Sequence, residues 1–233
     1  MKIYCMSDIH GCLKEFQEAL SMVEPHLQEE NTQLLLLGDY IHGGSDSCGV
    51  LDRIIELQQI YGPHKVIALM GNHEDFVDTG EASIDHLVLS IRERLENNSE
   101  KDWKYLQWIR NLPKYYVTGN TIFVHAGIDE QAGEYWEFET GDNIFLGKYP
   151  AETGPIEGLD KKVVAGHVGT CYVSENPEFH DIFYDGTSHY YIDGTVFISK
   201  KIPVLLVDTD TDTYYEVTKE GIWPVLPYSE IYN

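Results

Sequence analysis

Four consecutive leucines, Leu34 to Leu37, run into Gly38 and Asp39. Such an unbroken apolar run reads as a strand buried on both faces, as in parallel sheets. Ligands of open α/β sheets bind at the carboxyl ends of the strands, where Asp39 falls. A carboxylate fixed at the lip of a buried strand is costly unless a cation meets it. Two other apolar runs end in the same way. Ile3 to Met6 leads into Ser7-Asp8-Ile9-His10-Gly11, and Val66 to Leu69 into Met70-Gly71-Asn72-His73-Glu74. Further on, Ile122-Phe123-Val124 leads into His125-Ala126-Gly127, and Val163-Val164-Ala165 into Gly166-His167. Each run delivers an oxygen or imidazole donor beside a glycine, which lets the backbone turn the side chain sharply toward a common centre. Asp39 is the expected hub, a carboxylate placed to bridge two metal ions.

Taken singly, each donor has an ordinary explanation. Asp8 and His10 suit an N-cap and a turn, Asp39 a turn, Asn72 a left-handed bend, and His125 or His167 a hydrogen-bonded strand end. These explanations would all have to hold independently at five strand ends, and the joint reading as one site is simpler.

The elements that must carry these donors follow from periodicity. Lys2 to Ser7 predicts a strand, and Cys12 to about Gln28 a helix that frays at Pro25. After the leucine strand, Ser47 is expected to cap a helix running to about Ile60, and Lys65 to Leu69 to form a third strand. This β-α-β-α-β order implies parallel strands with right-handed crossovers. Helices are expected from about Ser83 to Asn97 and from Glu100 to Asn111. A hairpin follows, Tyr115–Thr118 and Thr121–Ala126 about a Gly119-Asn120 turn. Residues 130–160 are acidic and read as a loop with short helical pieces, and Val163 to Ala165 as a short strand. The runs 182–184, 189–192, 196–199, 203–208 and 214–218 suggest a second, mostly antiparallel sheet. No linker interrupts the chain, so residues 1–233 are expected to form one domain.

The formal net charge of −23 argues against nonspecific binding to nucleic acid or anionic membranes, which requires basic patches. No apolar run is long enough to span a bilayer. The N-terminal stretch MKIYCMSDIHG reads as a core strand rather than a signal peptide. The four cysteines, Cys5, Cys12, Cys48 and Cys171, form no CxxC pair and suit a reducing, cytoplasmic compartment. Nothing in the sequence sets an oligomeric state.

On the stretches SDIHG (7–11), GDYIHGG (38–44), GNHE (71–74), VHAG (124–127) and GH (166–167), the chain resembles the calcineurin-like metallophosphoesterases. It is most similar to the bacterial and phage phosphoprotein phosphatase branch, near the diadenosine tetraphosphatases. YIDGTVF at 191–197 is similar to a segment near that branch's C-terminus. The resemblance implies an α/β fold of two packed mixed sheets flanked by helices. It implies that Asp8 and His10 hold a first metal, that Asp39 bridges, and that Asn72, His125 and His167 hold a second. It also implies that His73 protonates the leaving oxygen. Mixed carboxylate, imidazole and amide donors suit manganese, with iron or zinc as the other candidates. Two such ions make a bridging water acidic and clamp the oxygens of an in-line displacement.

The chain departs from the family pattern at three positions. His42 stands where an aspartate orients the acid histidine, Gly43 where an arginine clamps phosphate, and Met70 where a second arginine often precedes GNHE. His42 is open to two readings, a ring that orients His73 or a turn residue facing solvent. The leading expectation is a two-metal phosphoesterase acting on phosphoserine or phosphothreonine proteins. The alternative is a hydrolase of dinucleoside polyphosphates or other small phosphoesters. A third reading is a weakly active protein that binds phosphorylated partners.

Overall fold

A computed structural model describes residues 1–79 and 100–232. The helix expected over 83–97 lies outside the described residues. Six strands form one sheet in the order β11-β10-β9-β1-β2-β3: β1 Lys2–Met6, β2 Thr32–Leu36, β3 Val66–Ala68, β9 Leu205–Asp208, β10 Thr213–Thr218 and β11 Gly221–Pro224. Five form the other in the order β4-β5-β6-β8-β7: β4 Tyr115–Thr118, β5 Thr121–Val124, β6 Lys162–Ala165, β7 Phe183–Tyr184 and β8 His189–Tyr191. β1, β2 and β3 are mutually parallel, as are β5, β6 and β8.

Alternation within the strands builds the layers. Ile3 and Cys5 of β1, Leu35 of β2, and Leu205 and Val207 of β9 share one buried cluster with Phe123, Val164 and Tyr190 of the other sheet. Tyr4, Met6, Leu34 and Leu36 point the other way, into helices α1 (Leu13–Val23) and α2 (Ser47–Tyr61). The leucine run is therefore buried on both faces, as its composition required. Helix α1 stops at Val23, and Glu24–His26 continues it as a single 3₁₀ turn carrying Pro25. Helices α3 (Asn72–Thr79) and α4 (Glu100–Ile109) pack against each other, and Trp108 Nε1 of α4 donates to Gln58 Oε1 of α2 at 2.8 Å. Among the described residues, no helix is long and apolar enough to cross a membrane.

Three expectations are corrected. The cap of α2 is Asp46, whose Oδ1 accepts from Gly49 N at 2.8 Å, while Ser47 Oγ accepts from His42 N at 3.1 Å. Residues Val196–Ser199 form a short helix rather than a strand, between Thr195 (φ 52°) and Lys200 (φ 56°). Asp193 Oδ1 takes the Thr195 N–H at 2.7 Å, and this local side-chain bond overrides the β propensity of Val-Phe-Ile. Finally, the late strands do not make one separate antiparallel sheet. β7 and β8 join the second sheet, and β9, β10 and β11 complete the first. Alternation specifies which face of a strand is buried, not which sheet it joins.

The acidic segment 130–160 folds as a 3₁₀ turn (Glu130–Tyr135) and helices α5 (Trp136–Glu139) and α6 (Asp142–Gly147). A buried ionic group ties it to β8. His189 Nδ1 meets Asp185 Oδ2 at 2.9 Å, and His189 Nε2 meets Glu130 Oε1 at 3.0 Å. Lys148 Nζ completes it at 2.9 Å from Glu130 Oε1. Burial opposes a charge on His189, but its bonds to Asp185 and Glu130 prevail and raise it to about 9.

Candidate metal centre

Six parallel strands, three from each sheet, point their carboxyl ends at one place. The residues immediately beyond them bend sharply. Asp8, His10, Asp39, His42 and His167 all have positive φ, between 48° and 72°. Left-handed backbone at non-glycine residues is costly and is retained where surrounding structure imposes it, typically at functional sites. The sheets are bolted together here. His167 N donates to Asp8 Oδ2 at 3.0 Å, and His125 Nδ1 lies 2.9 Å from Leu37 O. Gly166 makes the close approach possible, since a Cβ there would overlap Ser7 Oγ and Asp8 Oδ2.

Asp39 is the centre of the cluster and is 2% exposed. Its Oδ2 lies 3.7 Å from His10 Nε2 and 3.7 Å from His73 Nε2, and its Oδ1 lies 3.4 Å from His125 Nε2. Asp39 belongs to both groups of side chains whose donor atoms could surround a cation, His10-Asp39-His73 and Asp39-His125-His167. Asp8 Oδ1 is 3.8 Å from His10 Nε2 and, although buried, has no hydrogen-bond partner.

These residues fit a metal centre. Separations of 3.4–3.8 Å are too long for hydrogen bonds, and they suit pairs of donors around an ion with bonds of about 2.0–2.2 Å. The tautomers agree. His125 Nδ1–H donating to Leu37 O leaves the Nε2 lone pair facing Asn72 Oδ1 at 2.9 Å and Asp39 Oδ1. Three acceptors converging in a buried space call for a cation. His10 is held likewise, with Nδ1 3.2 Å from Ile41 O and Nε2 facing the carboxylates.

The electrostatics follow from the crowding. Burial raises Asp39, but the rings of His125, His73 and His10 outweigh it and bring the carboxyl down to about 2. Burial, and then Asp39, push Asp8 up to about 7. Burial and the neighbouring His125 ring push His167 down to about 4, leaving a neutral imidazole with a lone pair to give.

All eight residues singled out in the sequence are in this cluster or touch it. His42 does not face solvent: it is buried, and its Nδ1 lies 2.6 Å from His73 Nδ1. Arg53 is directed away, bound to Glu24 and Glu56 at 2.6 Å each.

Sequence reasoning passed over two carboxylates. Glu74, fully buried, accepts from Asp39 N (2.8 Å), Tyr40 N (2.9 Å) and Gly71 N (3.1 Å), and so shapes the loop that carries Asp39. Asp193, at the end of β8, is buried near Asp8, and burial and Asp8 raise it to about 8. Both lay inside quoted motifs, GNHE and YIDGTVF, and the strand-end rule that picked out Asp39 also selects Asp193.

Residues 1–195 match the family described as calcineurin-like phosphoesterase. A symmetrical bis(5'-nucleosyl)-tetraphosphatase from Nitrosospira multiformis is 33% identical over 129 residues, covering 55% of this chain and 44% of the relative. Another from Nitrosococcus oceani is 29% identical over 153 residues, covering 61% and 48%. The chain thus matches a little under half the length of these curated relatives. The crystal structure of a cold-active protein tyrosine phosphatase superposes with a TM-score of 0.69 at 16% identity, covering 98% of this chain and 79% of that one. At that identity the likeness establishes the fold of two mixed sheets flanked by helices.

Proposed function

Since this chain belongs to the calcineurin-like phosphoesterase family, we propose that it is a two-metal hydrolase of dinucleoside polyphosphates or similar small nucleotides. The observation that carries the two-metal reading is the membership of Asp39 in both donor groups. Asp8, His10 and Asp39 are assigned to one ion, and Asp39, Asn72, His125 and His167 to the other. Bound divalent ions, manganese by the mixed oxygen and nitrogen donor set, would acidify a water and neutralise charge on the reacting phosphate. His73 presents Nε2 to the site and holds its other nitrogen against His42, an arrangement suited to delivering a proton to the leaving oxygen. Four free cysteines fit a cytoplasmic setting.

The substrate reading reverses the order reached from the sequence, where a phosphoprotein came first. Two things favour the nucleotide. The curated relatives are named as tetraphosphatases. And positions 43 and 70 supply no guanidinium, while Arg53 and Arg110 are engaged with acidic partners elsewhere. A phosphomonoester carries nearly two charges on one phosphate, whereas an internal phosphate of a polyphosphate chain carries one. Among the described residues no guanidinium fork reaches the site, and such a site suits the second better.

Turnover of bis(5'-adenosyl) tetraphosphate, an aryl phosphate and a phosphoserine peptide with added manganese tests this reading. The tetraphosphate should have the highest kcat/KM, and a preference for the phosphopeptide would restore the protein phosphatase reading. Asp39→Asn should lose activity and both metals by elemental analysis, and retention of two metals with near-full activity would refute the shared-ligand assignment.

A further inference from the structure

We propose that Phe197 determines specificity at this site, its ring standing where a side chain from position 43 would project and offering an aromatic face to a leaving group that carries a base or aryl ring. The inference rests on the phosphoester reading above and deepens it by naming what the non-reacting part of the substrate must be.

Position 43 is not merely bare of charge. A Cβ on Gly43 would overlap Phe197 Cζ and lie 2.9 Å from both Cε1 and Cε2, so the phenyl ring points end-on at the Gly43 backbone. Gly43 also has φ +95°, a conformation that strains any L side chain. The backbone at 43 and the ring at 197 therefore exclude a side chain there together. The same ring lies 5.3 Å from the His10 ring, at an interplanar angle of 34°. His10 faces Asp8 and Asp39, so Phe197 borders the reacting centre.

The ring is held in place yet open. It rides on the four-residue helix Val196–Ser199, whose flanking residues Thr195 and Lys200 are both left-handed. Asp193, buried beside Asp8, anchors the helix start through Thr195 N at 2.7 Å. Even so, Phe197 is 41% exposed. A lone exposed phenylalanine is ordinary; one fixed against a donor histidine by a strained turn has a defined place relative to a bound phosphate. The His10 ring also meets the His73 ring, at 4.8 Å, and Phe76 packs against His73 at 5.9 Å. A phenyl ring cannot neutralise phosphate, but it stacks on another aromatic ring. The exchange of guanidinium for phenyl moves recognition from the phosphate to what the phosphate is attached to.

The test compares wild type with Phe197→Leu, which keeps bulk and removes the aromatic face, and Phe197→Trp, which keeps one. Substrates are bis(5'-adenosyl) tetraphosphate, 4-nitrophenyl phosphate and the alkyl ester phosphoserine. In Phe197→Leu the ratio of aromatic to alkyl KM should rise about 5–10-fold, and in Phe197→Trp it should stay within about twofold of wild type. Equilibrium dialysis of adenosine 5'-monophosphate against inorganic phosphate gives a second readout that needs no turnover. The leucine variant should lose affinity for the nucleotide and not for phosphate. A parallel change in aromatic and alkyl substrates, or unchanged nucleotide binding, overturns the assignment of Phe197. Absence of metal-dependent turnover of every phosphoester in wild type would instead overturn the proposed function, with the dialysis result still deciding for or against Phe197.

Discussion

The imidazoles of His42 and His73 meet Nδ1 to Nδ1 at 2.6 Å. One nitrogen must donate and the other accept, so the pair shares one proton at that contact. If His73 donates and neutral His42 accepts, His73 Nε2 can carry a proton toward the site. Asparagine offers an acceptor oxygen near the place of Nδ1 and tolerates the positive φ of 72° at position 42. His42→Asn should therefore retain more activity than His42→Ala, which should fall about 10–100-fold. Equal rates in the two variants would mean that the contact does not orient His73.

His73 has a second possible office, because its Nε2 is as far from Asp39 Oδ2 as that of His10, 3.7 Å in each case. Metal content separates the two. His73→Ala should keep both metals and slow hydrolysis of a poor leaving group about 10²–10⁴-fold, with a smaller loss on an activated aryl phosphate. Loss of one metal equivalent would make His73 a ligand.

Glu74 gathers three backbone N–H groups on its two carboxylate oxygens. Glu74→Gln turns an NH₂ toward at least one of those donors. The expected cost is about 1–3 kcal/mol of stability, read by denaturant titration, with weaker metal binding as the Asp39 loop relaxes. A variant with unaltered stability and metal affinity would show that the loop does not depend on this carboxylate.

Strand ends were readable because a buried strand must be apolar and a donor after it is conspicuous. That rule located Asp8, Asp39, Asn72, His125 and His167 without any knowledge of contacts. Glu74 was not separable from the rest of GNHE, because its work is to receive N–H groups from Asp39 and Tyr40, far away in sequence. By sequence Phe197 falls in a strand, since Val-Phe-Ile has β propensity and the Asp193–Thr195 bond that turns it into a helix is a matter of geometry. The hairpin at Gly119-Asn120 was readable from its turn chemistry. The assignment of β9 to the first sheet was not, because pairing partners are chosen by packing.

The His189 group gives the stability of the fold a defined pH dependence. Its folded value of about 9 lies above the ordinary histidine value of about 6.5. A raised value stabilises the folded chain fully below about pH 6.5, and that stabilisation disappears as pH climbs through about 9. The shift corresponds to a contribution on the order of 3 kcal/mol. On the acidic side, Glu130 is brought down to about 2 by His189 and Lys148 against the effect of burial, so its contribution is lost as pH falls from about 4.5. Urea unfolding at pH 6 and pH 9.5 should show the alkaline drop in wild type and not in His189→Gln. An equal drop in both would assign it to other groups.

The bonds from His167 N to Asp8 Oδ2 and between His125 and Leu37 O run from one sheet to the other, so the donor cluster sits on a seam. The strands of the first sheet deliver Asp8, His10, Asp39 and Asn72, and those of the second deliver His125 and His167. A cation held by Asp39 and Asn72 from one sheet and His125 and His167 from the other would act as a rivet through two plates. Whatever it contributes in binding free energy also resists their parting, because an ion that grips only the assembled joint stabilises the assembly by mass action. Neither plate alone holds the full set of donors, so the centre can exist only while the two sheets stay closed on each other.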